Sequence, residues 1–299
     1  MTDHTANQRG ALLMATSMVT FTINDTFIKA VSDELPLFQV ITLRGLAVTL
    51  ALLIAARALG RRLGGIAVRD RWLIALRTAG EVGGTWFFLT ALFHMPIANV
   101  SAILQALPLS VTLGTAVFFG ERVGWRRWTA IAVGFAGVML IVRPGADGFT
   151  VYSLYALAAV ASVTVRDLAA RRLSAEVPSM AVALAAAVGV TVFGVLGSAV
   201  TPWQPVSALA AAQLSGAVVA LLFGYVTSVM AMRVGEIGVV APFRYSSLVA
   251  ALILGFVIFG DWPAPLTLLG SAVVVATGLF TLWRERRNRL RVIAPVRLR

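Results

Sequence analysis

The sequence predicts an all-α integral membrane protein whose ten transmembrane helices form two inverted five-helix repeats. Composition is the first reason. Hydrophobic residues make up 59% of the chain, charged residues 13%, and the mean hydropathy is +0.88, far from a soluble domain. The second reason is length, because the apolar runs match the roughly 20 residues needed to span a hydrocarbon core. The third is that the chain aligns with itself. In ALFHMPIANVSAILQALPLSVTLGTAVFFGERV and AMRVGEIGVVAPFRYSSLVAALILGFVIFGDWP, Ala91 falls on Ala231, Ile97 on Ile237, Val100 on Val240, Phe119 on Phe259, Gly120 on Gly260 and Glu121 on Asp261.

In order, the predicted spans are Gly10–Ala30, Leu37–Ala56, Trp72–Phe93, Ile97–Phe119, Trp128–Val142, Tyr152–Ala170, Met180–Val200, Leu209–Met232, Ile237–Phe259 and Leu266–Trp283. Tilt or bilayer thinning absorbs the shortness of several of them. The first does not read as a cleaved signal, since Asn24, Asp25 and Lys29 interrupt it where an apolar core belongs. Pro242 lies near the start of the ninth span and Pro108 within the fourth, and proline removes a backbone donor and kinks a helix.

Loop charge sets the expected orientation. With the N-terminus inside, one set of loops holds Arg9; Arg57, Arg61, Arg62, Arg69 and Arg71; Arg122, Arg126 and Arg127; Arg171 and Arg172; Arg233; and the arginines of the tail. The opposite loops hold Lys29 and Arg143. The positive-inside rule then places both termini in the cytoplasm, and the expected location is the inner (plasma) membrane. The net charge of +12 is therefore a topological signal, and no nucleic-acid partner is expected. The tail RERRNRLRVIAPVRLR is read as a topology anchor with lipid headgroup contact. The absence of cysteine excludes disulfides, thiolate metal sites and cysteine catalysis. His4 and His94 alone do not furnish a zinc site or a Ser/His/Asp triad. No cofactor is expected.

A second matched block strengthens the duplication. In TSMVTFTINDTFIKAVSDELP and AAVASVTVRDLAARRLSAEVP, Thr22 falls on Thr164, Asp25 on Asp167, Lys29 on Arg171, Ser32 on Ser174, Glu34 on Glu176 and Pro36 on Pro178. Five spans is an odd number, so the second half enters the membrane from the opposite side. Inverted repeats of this kind expose a midplane site alternately to either face. The expected organisation is a first repeat over residues 1–146, a second over 147–284 and a basic tail over 285–299.

The half-endings FFGERVGWRRWTAIAVGFAGVMLIVRPG and FVIFGDWPAPLTLLGSAVVVATGLF resemble the phenylalanine-glycine-acid step and Gly-rich final helix of the EamA type of the drug/metabolite transporter superfamily. The half-start with Asp25 and Lys29, followed by Pro36, Gln39 and Arg44, is similar to that of small-metabolite carriers in the superfamily. The resemblance implies a secondary carrier without an ATP site, moving amino acids, organic acids, or vitamin-like or nucleoside-like compounds. The chain agrees in having no GxxxxGK[ST] phosphate loop. The partners implied are a small-molecule substrate, membrane lipid, and protons or an exchanged counter-substrate. The alternative is a membrane-embedded enzyme or sensor on the same scaffold, but acids, bases and metal ligands do not converge in this sequence.

Arg44, Arg77, Arg166 and Arg244 are the cations left within spans, and an intramembrane charge is by default a functional site. Arg77 has Glu81 one turn later. Arg166 is adjacent to Asp167, and neighbouring residues do not share a helix face. Arg44 and Arg244 lie roughly 10–12 Å below their surfaces by helical rise and have no acid on their own helix at i±3 or i±4. Each therefore calls for a partner from another helix, water or an anionic substrate, unless it snorkels to the headgroups. The expected substrate carries a carboxylate or other anionic group, because the guanidinium fork matches it. Gln105, aligned with Tyr245, either lines the cavity or serves as interhelical glue. Trp86, beside Gly83 and Gly84, either presents a flat wall to an aromatic or methylated ligand or packs between helices. Arg44, Trp86, Gln105, Tyr225, Arg244 and Tyr245 are the expected substrate-binding set. The spacings Asp25/Lys29 and Asp167/Arg171 recur at opposite mouths of the pathway, and these four are the expected gating residues; their alternative use is as interface anchors paired along their own helices.

Overall fold

The computed structural model describes residues 4–60, 64–121, 123–144 and 149–293. Arg61, Arg62, Arg122, Arg297, Arg299 and the expected repeat boundary at 146/147 lie outside the described residues. Among those described, all regular structure is helical: α1 (His4–Val31), α2 (Leu37–Ala58), α3 (Val68–His94), α4 (Ile97–Leu104), α5 (Leu107–Phe119), α6 (Trp125–Val142), α7 (Val151–Arg171), α8 (Ser179–Ser198), α9 (Ala208–Val234), α10 (Ile237–Val240), a 3-10 turn (Ala241–Tyr245), α11 (Ser246–Phe259) and α12 (Pro265–Ile293). Within these residues, nine helical segments are long and apolar enough to cross a bilayer. The third expected span, α3, is 27 residues long but falls outside that set, because Arg77 and Glu81 interrupt its apolar length. Large apolar side chains such as Leu12, Leu50, Ile54, Phe118 and Val257 are exposed. A chain solvated by hydrocarbon presents that kind of surface.

Element boundaries follow from local chemistry. Pro36 and Pro178, an aligned pair, stand at the N-caps of α2 and α8, since proline ends the preceding chain and pre-sets the next φ. Gly120 and Gly260, another aligned pair, close α5 and α11 in the left-handed conformation, with φ of 66° and 69°. The amide of Asp261 then donates to Gly255 O at 3.0 Å, satisfying a carbonyl of the last turn.

The chain divides into two compact units. One comprises residues 1–22, 101–149 and 223–299; the other comprises 23–100 and 150–222. Each unit takes segments from both halves of the sequence. In the first, α6 packs along α12 and α5 joins them. A side chain at Gly270 would meet Gly137 O at 2.5 Å, so these two glycines bring backbone against backbone. In the second, α3 packs on α7 and α8, and α8 packs on α2. There, a Cβ at Gly80 would lie 2.8 Å from both Arg166 N and Ser162 O.

Loop ends of the second unit are fastened by side chains. Glu34 accepts from the Ser207 amide and hydroxyl, both at 2.9 Å. Gln39 exchanges two hydrogen bonds with the Gln204 backbone, at 2.8 and 2.9 Å. Asp70, 3% exposed, accepts from the Ser174 amide and hydroxyl, both at 3.1 Å.

Candidate functional site

Two interrupted helices meet in the first unit. The fourth span, a continuous run in sequence, breaks at Gln105–Ala106 between α4 and α5, where Pro108 enters the first turn of α5. The ninth span breaks into α10, the 3-10 turn carrying Pro242, and α11. Proline removes an amide from each ladder and frees the carbonyl it would have bonded, and a 3-10 stretch inside a helix marks a strained or hinged position. Gln105 Nε2 donates to Ser247 Oγ at 2.9 Å, and Ser247 Oγ donates to Arg244 O at 3.0 Å. Thr22 Oγ1 adds a long bond of 3.4 Å to Ser247 O.

Gln105 and the Arg244 backbone are thus joined at one crossing through Ser247, one of the hydroxyl donors that the sequence places just after Arg244 and Tyr245. Arg244 is exposed, whereas Tyr245 is buried. The Tyr245 hydroxyl presses against Gly278 and has no hydrogen-bond partner among the described residues. Tyr225 stands apart from this crossing, half exposed, with its ring edge-on to Phe21 at 5.3 Å.

The second unit holds the other two expected binding residues. Trp86 heads an aromatic cluster: Phe87 at 4.8 Å, Phe193 at 6.0 Å and Tyr155 at 6.2 Å, centroid to centroid. Trp86, Phe87 and Phe193 wall a largely apolar cavity of about 750 Å³ between α3 and α8, with Thr78 and Arg71 as its polar members. Thr78 Oγ1 is buried and without a hydrogen-bond partner among the described residues. It is an open cleft rather than an enclosed pocket, its lining residues Val192 and Leu196 being 51% and 67% exposed. Phe193 and Tyr155 come from α8 and α7, so no sequence spacing on α3 could have disclosed them.

Charged groups in this unit are mostly matched across helices. Arg44 on α2 acts electrostatically on Asp25 on α1, supplying the inter-helix acid that Arg44 lacks on its own helix. Asp25 also accepts from Asn24 Nδ2 at 2.8 Å. Lys29 donates to the carbonyls of Leu92 and Met95, at 3.1 and 2.7 Å, at the end of α3, a favourable place for a cation on a helix dipole. Glu81 binds both Arg77 at 3.6 Å and Arg166 at 3.5 Å, and Arg166 Nε reaches Asp167 Oδ1 at 2.8 Å. The adjacent pair therefore does meet, because the arginine is long enough to fold back over its neighbour. Arg171 is exposed at the end of α7. Among the described residues no cluster of His, Cys, Asp and Glu could hold a metal.

Comparison with known proteins follows the same line. The family profile of EamA-like transporters matches residues 8–143. A riboflavin transporter of Vibrio cholerae is 28% identical over 286 residues, covering 94% of this chain and 95% of that one. A riboflavin transporter of Rhizobium johnstonii is 30% identical over 241 residues, covering 76% of each. A crystal structure sharing 20% identity superposes with a TM-score of 0.62 over 94% of this chain and 98% of its own, a likeness of fold. Apolar helices of membrane-spanning length, two proline-broken spans and full-length kinship with carriers agree: this multi-pass membrane protein belongs to the EamA-like transporter family of the drug/metabolite superfamily.

Proposed function

We propose that the protein is a secondary carrier that moves a small polar, anionic or zwitterionic metabolite across the inner membrane by alternating access. The observation that supports this best is the crossing of two interrupted helices at Gln105 and Ser247, with Arg244 beside the break. Carriers place substrate sites where helices are discontinuous, because freed backbone groups and half-helix ends can face a polar ligand. In this reading the halves 1–146 and 147–284 are inverted repeats, α3 also crosses the membrane and brings the spans to ten, and both termini are cytoplasmic. Gln105, Arg244, Tyr245 and, apart from them, Tyr225 are the proposed substrate contacts of the first unit and Arg44 and Trp86 those of the second, and protons or a counter-substrate drive transport. The aromatic wall around Trp86 favours cargo with a flat ring, a vitamin-like or nucleoside-like compound. The two relatives named as riboflavin transporters support the flat ring but not the charge, since riboflavin is neutral near pH 7.

Uptake into proteoliposomes tests this directly, using riboflavin, nucleosides, amino acids and organic acids as the panel. The expected result is accumulation of an unmodified anionic or zwitterionic member, with Arg244→Ala losing at least tenfold in apparent affinity, about the value of one charge-assisted contact. Chemical conversion without accumulation would establish the enzyme reading instead. Full transport by Arg244→Ala, or an organic cation as the tightest ligand, would refute the assigned site chemistry.

The gating roles of Asp25, Lys29, Asp167 and Arg171 form part of the same proposal. Asp25→Asn is expected to favour the outward-open state and Asp167→Asn the inward-open state. Single engineered cysteines, introduced into a chain that has none, report each shift by their labelling. Identical labelling of the two variants would remove these residues from the gates.

A further inference from the structure

The open cleft between α3 and α8 is long and straight. On α3 its lining recurs every three or four residues, from Arg71 through Ile74, Thr78 and Val82 to Trp86; on α8 it runs from Ala185 through Gly189 and Val192 to Leu196. Such spacing follows one face of each helix, so the cleft is a furrow along the pair. By helical rise, Arg71 to Trp86 is about 22 Å. One bilayer leaflet offers about 15 Å of hydrocarbon beneath about 5–7 Å of headgroup layer. The furrow is as long as one lipid is deep.

Its two ends differ in chemistry. At one end stands Arg71, the charged side chain among the described lining residues. Its Nε donates to Ile66 O at 3.0 Å, which fixes where the guanidinium sits. Trp72, next in the chain, is 72% exposed, as befits a ring at headgroup level. At the other end the rings of Trp86 and Phe193, 6.0 Å apart, close the furrow. Between the ends the lining is apolar apart from Thr78, and the floor is low because Gly189 presents no side chain to it. An apolar furrow open along its side gains contacts only from a slender apolar occupant.

We infer that this furrow seats one acyl chain of a membrane phospholipid, with the phosphate at Arg71 and the chain end against Trp86 and Phe193. The guanidinium fork matches a phosphate, and a leaflet-deep chain reaches both ends of the furrow at once. A compact ring compound would leave one end untouched. Tyr155 meets Trp86 from α7 and does not line the furrow, so the cargo contact proposed for Trp86 is left a side of its own. The lipid seat does not rest on the proposed substrate.

Photolabelling of the full chain in phosphatidylcholine vesicles tests the inference, the probe being phosphatidylglycerol with a diazirine midway along one chain. Labelling of Ala79, Val82 and Val192 is expected to exceed that of Leu50 on α2 and Val257 on α11, which are exposed but line no furrow. Ala79 is itself exposed, so Ala79→Phe fills the furrow without entering the core, and it should bring Val82 and Val192 down to the level of those two controls. Arg71→Gln should lower furrow labelling about fivefold, the value of one basic residue beside anionic headgroups. Labelling equal to the controls, or unchanged by Ala79→Phe, would overturn the inference in favour of a non-specific annulus. Labelling below the controls would overturn it in favour of a second copy covering the furrow, and suppression by riboflavin in favour of a cargo seat. No response to Arg71→Gln would overturn the placement of the phosphate, and with it the phospholipid.

Discussion

Replacing Glu81 with leucine is expected to cost about 3–5 kcal/mol of stability, the penalty for leaving buried charge uncompensated. Glu81 is the shared acceptor of Arg77 and Arg166, and the side chains involved are only 20–25% exposed. Without it, two cations remain in a low-dielectric setting, and of the ion pairs described above only Arg166–Asp167 persists among the described residues. Relief by helix movement is blocked, because Gly80 already lies backbone-to-backbone against Ser162 and Arg166. The double variant Glu81→Leu/Arg77→Leu should recover most of the loss, since it leaves Arg166 and Asp167 as a neutral pair. Thermal unfolding of the two single variants and the double completes the cycle. Strict additivity of the two single effects would show that Glu81 and Arg77 do not share a charge balance.

Gly278→Ala is the second substitution expected to have a large effect. An added methyl there would collide with the Tyr245 hydroxyl and sit 2.7 Å from its Cζ. The ring is buried and cannot swing out without disturbing the 3-10 turn, so a cost of about 1–3 kcal/mol is expected, as for other overpacked sites. Tyr245→Phe alone should be close to neutral in stability, because the lost hydroxyl has no hydrogen-bond partner among the described residues. Combining the two should restore part of the stability by removing the oxygen that the new methyl strikes. Unfolding temperatures measure all three, and no rescue by Tyr245→Phe would show that the ring does not pack as described.

The parts of the structure legible in sequence are those governed by local backbone chemistry. Pro108 and Pro242 announced disturbed helices, and both spans are broken where proline removes a donor. Arg77 and Glu81 were readable as a pair because i, i+4 spacing superposes side chains on any α-helix. Arg166 bonding to Glu81 was not readable, since the two lie on different helices whose approach is set by Gly80. Arg166 bonding to Asp167 was misjudged from helix-face geometry, which describes where Cβ atoms point and not how far a guanidinium can return. Arg44 could be identified as needing a partner, but Asp25 could be assigned to it only once α1 and α2 were in place. The candidate site divides in the same way. Trp86 was visible as an anomalous mid-span aromatic and Ser247 as a donor after the proline, while Phe193, Tyr155 and the pairing of Ser247 with Gln105 emerge only from tertiary contact.

The left-handed caps at Gly120 and Gly260 bear on how kinship in this family is to be read. In each the phenylalanine closes the last helical turn, the glycine adopts a conformation costly to residues with a Cβ, and the next amide, of Glu121 or Asp261, returns to a carbonyl six residues back. The phenylalanine-glycine-acid step is therefore grammar without vocabulary: it tells the chain where a helix stops and is indifferent to cargo. A step that fixes only where a helix ends is compatible with any cargo, and under the proposed function cargo choice rests instead with the helix breaks and the aromatic wall.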